Sequence, residues 1–575
     1  MKQIIFIIKR VLAFLLLISL FSCNEYKGKH LLVAFNNHND PYNKIILDIL
    51  KRKISEKDTG IQVLTTGVGK LVLSFNIDTT LNKDGFEISK PTDNQFKITG
   101  QNHRALLYGL GKFLRSADYS EKGLIPGNCC GVSFPEKPIR GIYFATHFGN
   151  YYYNAPEDNV NKYLEDLCLW GANSIAVWYD MHAFNGINDS ASRARIQYIK
   201  RIMKAGNKLG LTSCMTYLAN EGYNNSPVEL RAECELENGY FKKPWGYYYR
   251  EVCPHKKGGL DYILKTRDEF FREFSDVQID NLAICPYDQG GCTCAACAPW
   301  GTNGYLYTTE KTVEIAKKYF PKTSITLSTW DFDFFIANEW SGLAEKFNKN
   351  KPAWIDYLMV EDKYGFPFIK KNGVPGGFKL VGFPEICMEG MYPWGCFGAN
   401  PRPDHWQKYF QEADSFLIGA FPYSEGIYED INKIIILQKL WKGSADVYEI
   451  IREYVGAEFG HAYKDSLTQV IKNLEINLYH DSSLVRRQIA SQTVLSVRKI
   501  NNVLPVSIRE SWRWQILLIR AEIDNERFNS GLKRLSNKRI TDWQNKLNRL
   551  YYVGEDTYKS MVPTYQESWL DQYGL

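Results

Sequence analysis

Between Ile139 and Trp441 the chain repeats one pattern eight times: a short apolar run, then an amphipathic stretch at helical spacing. The apolar runs fall near 140–146, 174–179, 211–216, 280–286, 324–329, 355–360, 378–383 and 416–421. Helical spacing is plainest in Asn159 to Leu169, Ile196 to Lys208, Tyr262 to Phe274 and Thr308 to Tyr319. Parallel strands cannot be joined by a tight turn and need a crossover, usually a helix. Eight strand–helix units in about 300 residues are what a closed (β/α)8 barrel requires. The pattern therefore predicts an α/β fold built on a TIM barrel over 135–443. The helices of the sixth and seventh units are the hardest to see.

The flanks differ in character. At 575 residues the chain exceeds one compact core. Residues 24–134 alternate short apolar runs with polar turns, and Phe86-Glu87-Ile88 and Phe96-Lys97-Ile98 carry strand periodicity. They predict a small α/β domain. Residues 444–575 are polar with helical spacing, as in Val447 to Val455, Asp465 to Leu474 and Ser511 to Phe528, and predict a helical C-terminal domain. Residues 1–23 stand apart. Lys2, Lys9 and Arg10 precede the apolar stretch Val11 to Phe21, too short to span a bilayer. Leu20-Phe21-Ser22-Cys23 resembles a bacterial lipobox, which implies export, cleavage before Cys23 and lipidation of its thiol. Membrane contact is then expected through the lipid anchor alone.

A net charge of +6 with no long basic run gives nucleic-acid binding little support. The 37 Tyr, 31 Phe and 14 Trp can fill cores or stack on the C–H faces of sugar rings.

In barrel enzymes reactive groups sit where the strands end at their C-terminal side. Those positions hold Thr146-His147, then Trp178-Tyr179-Asp180-Met181-His182, then Tyr217 with Asn220-Glu221. The fourth and fifth end in Tyr287-Asp288-Gln289 and Trp330-Asp331 with Asp333 beyond. The last three lead to Glu361-Asp362, to Glu385 and Glu389, and to Tyr423-Ser424-Glu425. So many carboxylates interleaved with Trp178, Trp330 and Trp394 suit a sugar site. Glycosidic cleavage needs one protonated carboxyl to donate to the leaving oxygen and one ionised carboxylate to activate water or attack carbon. Asp288 ends an apolar strand and is the candidate acid, although an Asp before Gln289-Gly290-Gly291 can also cap a turn. Glu361, Glu385 and Glu389 are the candidate bases or nucleophiles, or else salt-bridge partners. His147, Trp178, Asp180, Tyr287, Trp330, Trp394 and Glu425 are candidate substrate contacts. A non-catalytic glycan-binding lipoprotein and a metal-dependent hydrolase are the rival readings. The second has little support, because the nine histidines are dispersed and His147 stands without a nearby partner.

Cys292-Thr293-Cys294-Ala295-Ala296-Cys297 puts three thiols within six residues. With Cys253 as fourth ligand, they predict a structural zinc site beside Asp288; disulfides are the alternative in an oxidising compartment. Apart from this zinc no cofactor is expected, since no Gly-x-Gly-x-x-Gly or phosphate-binding loop occurs between strand and helix.

Ile98-Thr99-Gly100 with Ala105 to Arg115 resembles the domain preceding the barrel in β-hexosaminidases, α-glucuronidases and their relatives. Arg140-Gly141 and Ala145-Thr146-His147 are similar to the barrel start of the α-glucuronidases of glycoside hydrolase family 67. That resemblance implies an acid after strand four and a pair of carboxylates after strands six and seven, which Asp288, Glu361 and Glu389 match in order and spacing. The identities differ, the family acid being Glu and one base Asp. Asp288-Gln289 also departs from the Asp-Glu pair of β-hexosaminidases, which weakens a substrate-assisted mechanism. Tyr423 to Lys433 and the Cys-x-Cys-x-x-Cys loop resemble exported sugar hydrolases of gut-type bacteria.

Overall fold

The computed structural model describes residues 29–57, 59–120, 123–147, 149–233, 250–288, 291–386, 399–478, 484–531 and 538–552. The chain divides into two compact units. Of the described residues, the first takes those within 1–135, 451–469 and 498–515, and the second those within 136–450, 470–497 and 516–575.

In the first unit β1 (His30–Phe35), β2 (Gln62–Leu64), β3 (Leu71–Ile77), β4 (Phe86–Thr92), β5 (Gln95–Gly100) and β8 (Gly131–Ser133) form one mixed sheet, ordered β2-β1-β3-β5-β4-β8. Strands β6 (Asp118–Ser120) and β7 (Gly123–Ile125) pair separately. Two helices, α1 (Tyr42–Ser55) and α2 (His103–Ser116), pack on it through Ile46, Leu50, Leu107, Leu110 and Phe113, all buried. Asn102 starts α2 by accepting the Ala105 amide at 2.9 Å, the N-cap bond that spares an otherwise orphaned donor.

The second unit is the barrel. Its strands are β9 (Ile139–Phe144), β10 (Ser174–Trp178), β11 (Thr212–Leu218), β12 (Asn281–Cys285), β13 (Ser324–Ser328), β14 (Tyr357–Val360), β15 (Lys379–Gly382) and β16 (Leu417–Ala420). Each pairs in parallel with the next, and β16 returns to β9 through Gly419 opposite Ile139 and Ala420 opposite Arg140, so the sheet closes. The crossovers are α3 (Glu157–Leu169), α4 (Ser190–Lys208), α5 (Gly259–Glu273), α6 (Gly304–Tyr319), α7 (Glu339–Lys349), α8 (Gly365–Asn372), α9 (Pro403–Ala413) and α10 (Asp430–Trp441). All eight predicted strands are present. The sixth helix, α8, has only eight residues, which is why its periodicity was faint.

The Arg140-Gly141 start has a physical cause. Arg140 is fully buried and its guanidinium donates to the Gly171 and Lys137 carbonyls, each at 2.8 Å, tying β9 to the turn before β10. A Cβ on Gly141 would lie 2.2 Å from the Phe421 ring, so only glycine lets that ring fill the barrel.

The helical segments that follow the barrel are α11 (Val447–Phe459), α12 (Lys464–Ile476), α13 (Leu484–Asn501), α14 (Trp512–Asn529) and α15 (Lys538–Tyr551). Among the described residues no helix is long and apolar enough to cross a membrane.

Candidate active site

The barrel interior is capped by an aromatic layer. Tyr143, Trp178, Phe383, Phe421 and Tyr423 are buried in one cluster, with Trp330 packed against it. His147 sits edge-on to Trp178 with ring centroids 4.3 Å apart. Burial, then the field of His182, drives its pKa well below the usual histidine value, so it is neutral at physiological pH. Trp178 is only 3% exposed and belongs to this layer rather than to an open stacking platform.

Above the layer the acidic strand ends converge. Trp330, just past β13, donates its indole N–H to Glu385 Oε1 at 2.6 Å, which aims the Glu385 carboxyl from beyond β15 towards β13. Burial pushes Glu385 up to about 7, against the Trp330 hydrogen bond and with help from Glu361 and Asp362. Glu361, 4% exposed, accepts the amides of Tyr364 at 3.0 Å and Gly365 at 2.9 Å and so starts α8. It too is raised to about 7, by burial first. Asp331 follows Trp330 and lies in the field of both carboxyls. Its φ of 59° is the left-handed region that a β-carbon disfavours, a local cost that fixes the side chain's direction. Burial, followed by repulsion from Glu385, Glu361 and Asp288, raises it well above the ordinary aspartate value. Four carboxyls from the ends of the fourth to seventh strands thus share one field. Burial and like charge both favour the protonated form, the direction in which Asp331, Glu361 and Glu385 are shifted.

Asp288 also acts on the other side of the mouth. Its charge bears on His182, whose Nδ1 lies 2.5 Å from Glu221 Oε1. Glu221 accepts the His182 amide as well, at 3.1 Å, and the histidine pKa is raised despite a larger opposing cost of burial. Asp180 and Glu251 flank this pair, each pushed up to about 7 with burial the largest cause. Asp180 Oδ1 and Glu221 Oε2 are buried acceptors with no hydrogen-bond partner among the described residues. Glu425 accepts the Tyr423 hydroxyl at 2.9 Å.

Tyr287 is turned the other way. It is 1% exposed and donates its hydroxyl to Glu339 at the start of α7, which also accepts the Gly301 amide at 2.5 Å. Its placement makes it a support of the loop after β12. The thiols of Cys253, Cys292, Cys294 and Cys297 gather close by, their sulfurs all within 4.8 Å of one another. Cys253 Sγ stands 3.7 Å from Cys294 Sγ and 3.9 Å from Cys297 Sγ. Four sulfurs on a zinc ion at about 2.3 Å would be about 3.8 Å apart along each tetrahedral edge. Neighbouring Gly291 has a φ of 54°, and a Cβ there would lie 2.3 Å from the Trp300 ring, whose N–H holds the Pro286 carbonyl at 2.8 Å. Trp300 thus ties the chain just before Asp288 and packs against Gly291.

Of the other candidate residues, Glu389, Trp394 and Cys23 lie outside the described residues. Sequence reasoning did not single out Asp331, the His182–Glu221 pair or Glu251. The first three were visible as strand-end polar residues. Glu251 belongs to no periodic element and carried no signal.

No family model and no curated protein sequence matches the chain. Solved structures share its fold. A family 138 glycoside hydrolase described as targeting pectin rhamnogalacturonan II aligns with a TM-score of 0.54 at 12% identity, covering 90% of this chain and 72% of its own. A Clostridium perfringens family 89 glycoside hydrolase bound to GlcNAc-α-1,4-galactose gives 0.55 at 11% identity, covering 89% and 66%. The family 20 β-N-acetylhexosaminidase of Streptomyces coelicolor A3(2) gives 0.50 at 12%, covering 77% and 92%. At these identities the likeness is one of fold: a TIM barrel of the kind found in glycoside hydrolases.

Proposed function

We propose that this chain is a glycoside hydrolase that cleaves a glycan with paired carboxyl groups at the C-terminal mouth of the barrel. The observation that carries the reading is the Trp330 indole N–H holding Glu385 at 2.6 Å over an aromatic layer, beside an Asp331 that feels the charges of Glu385, Glu361 and Asp288. Glycosidic cleavage asks for one protonated and one ionised carboxyl at the same pH, and a shared field of this kind separates them. Asp288 and Asp331 make up the proton-donating side. Glu385 is the partner that ionises as pH rises through about 7, burial raising its carboxyl and the Trp330 hydrogen bond opposing that rise. Glu361, engaged by two backbone amides, sets the field and holds α8.

The four-cysteine cluster fits a structural zinc that fixes the loop behind Asp288. Such a closed thiolate site supplies rigidity and has no open position for substrate. The leader and Cys23 support placement of the protein as an exported, lipid-anchored enzyme.

Leaving-group dependence separates the roles. Replacing the acid by Asn slows 4-nitrophenyl glycosides far more than dinitrophenyl ones, whereas Glu385→Gln slows both by about 10³-fold or more. Unchanged turnover in Asp288→Asn, Asp331→Asn and Glu385→Gln alike would remove these carboxyls from the mechanism, and glycan binding without turnover by the wild type would leave a glycan-binding protein as the reading.

A further inference from the structure

Resting on the glycoside hydrolase reading, we infer that Lys433, buried behind the last barrel strand, is a positioning residue: its ammonium sets the chain segment against which Glu385 is registered. Lys433 lies on α10 and forms an ion pair with Glu429, four residues earlier, at 3.4 Å, both side chains being fully buried. An ammonium has three N–H donors. Lys433 gives them to Ser424 Oγ at 2.8 Å, to the Tyr152 hydroxyl at 3.0 Å and to the Gly426 carbonyl. Ser424 donates in turn to Glu429 Oε2 at 3.0 Å, and its oxygen stands 2.9 Å from the Tyr152 hydroxyl. Glu429 Oε1 accepts the Glu425 amide at 3.4 Å. The pair therefore holds residues 424, 425 and 426, each by a different group.

That segment is a junction. Strand β17 (Tyr423–Ser424) pairs in parallel with β9. Ala145, two residues before His147, donates its amide to the Ser424 carbonyl at 2.9 Å. Tyr423 donates its own amide to the Pro384 carbonyl at 2.9 Å, directly before Glu385, and bridges to Glu385. The Tyr423 ring lies in the aromatic layer, and its hydroxyl reaches Glu425 Oε1 at 2.9 Å. A shift at Ser424 is thus passed to the backbone that carries Glu385 and to the mouth end of the first strand. Burying two charges is costly, and a buried pair is often no more stable than apolar side chains of like volume. What this pair adds over such side chains is direction, because its bonds are met by one course of the backbone. Reacting groups displaced by about 1 Å lose on the order of 100-fold in rate. Lys439, six residues on in the same helix, is the contrast: also buried, it binds the Gly443 and Ala445 carbonyls beyond the far end of α10.

The test measures kcat and KM of Lys433→Met, Ser424→Ala and Tyr152→Phe on a 4-nitrophenyl glycoside that the wild type hydrolyses. It is drawn from a panel spanning the gluco, galacto, manno and 2-acetamido series in both anomers. Circular dichroism gives the folded fraction of each variant at the assay temperature, and Lys439→Met controls for the loss of a buried lysine. The expected result is a fall in kcat of about 100-fold in Lys433→Met and about 10-fold in the other two, with KM within about threefold of the wild type and no such fall in Lys439→Met. Should Lys433→Met fail to fold, Ser424→Ala and Tyr152→Phe decide. Wild-type kcat in the folded variants, a loss no larger than the unfolded fraction, or an equal loss in Lys439→Met overturns the inference and leaves the hydrolase reading standing. No hydrolysis by the wild type anywhere in the panel overturns that reading and the inference with it.

Discussion

Glu385→Gln should make the protein more stable at alkaline pH while removing its activity. The Glu385 carboxyl is raised from 4.5 to about 7, chiefly by burial. A carboxyl with a folded pKa above its unfolded one binds its proton more tightly in the native state. It therefore leaves the fold untouched below about pH 4.5 and weakens it progressively as pH climbs to about 7 and beyond. At 1.36 kcal/mol per pKa unit the penalty reaches about 3 kcal/mol at pH 8. Glutamine keeps an oxygen that can accept the Trp330 indole N–H, now 2.6 Å from Glu385 Oε1, and never ionises. Asp331 also loses the foremost of the charges that repel it. For a unit of this size the gain corresponds to roughly 3–5 °C in melting temperature. Differential scanning calorimetry of both proteins from pH 4.5 to 8.5 reads it directly: the two curves should coincide at the acid end and separate as pH rises. A variant that melts below the wild type at pH 8, or a difference that does not vary with pH, would refute the reasoning that burial sets this carboxyl's charge.

Other consequences follow from the same structure. The purified chain should hold about one zinc per molecule, and Cys297→Ser should lose it together with about 4 kcal/mol of stability, read by metal analysis and by melting. Gly141→Ala drives a Cβ to 2.2 Å from the Phe421 ring and should cost about 1–3 kcal/mol in a denaturant titration, with no change in KM if the barrel still closes. Asp331→Asn should shift the alkaline limb of the pH–rate profile towards lower pH, because the protonated reserve of the four-carboxyl group is smaller without it.

The barrel was legible because parallel strands buried on both faces read as unbroken apolar runs, and Leu282, Ile284, Ile325 and Leu327 are all fully buried here. The candidate carboxyls were legible because each follows such a run directly. Direction was not. Ala283 and Cys285 face the barrel interior, so period-two alternation would aim Tyr287 inward as well, yet it turns to Glu339 beyond Pro286. Nor could spacing reveal that Glu361 is held by the amides that begin α8, or that Glu251, from an irregular stretch, shares a field with His182 and Glu221. These relations depend on loops meeting across the barrel end, where sequence distance says nothing about proximity. The Cys-x-Cys-x-x-Cys loop was the exception, since three of its four gathered thiols are local and only Cys253 arrives from a distant connection.

The most direct trial of the central claim is release of reducing sugar from a broad set of glycans, measured side by side for the wild-type chain and for Asp288→Asn and Glu385→Gln. Hydrolysis by the wild type that falls by about 10³-fold or more in at least one of the two variants, with the fold preserved, is the expected result. Equal hydrolysis by all three would contradict it, for the carboxyls gathered at the barrel mouth would then have no part in breaking the bond.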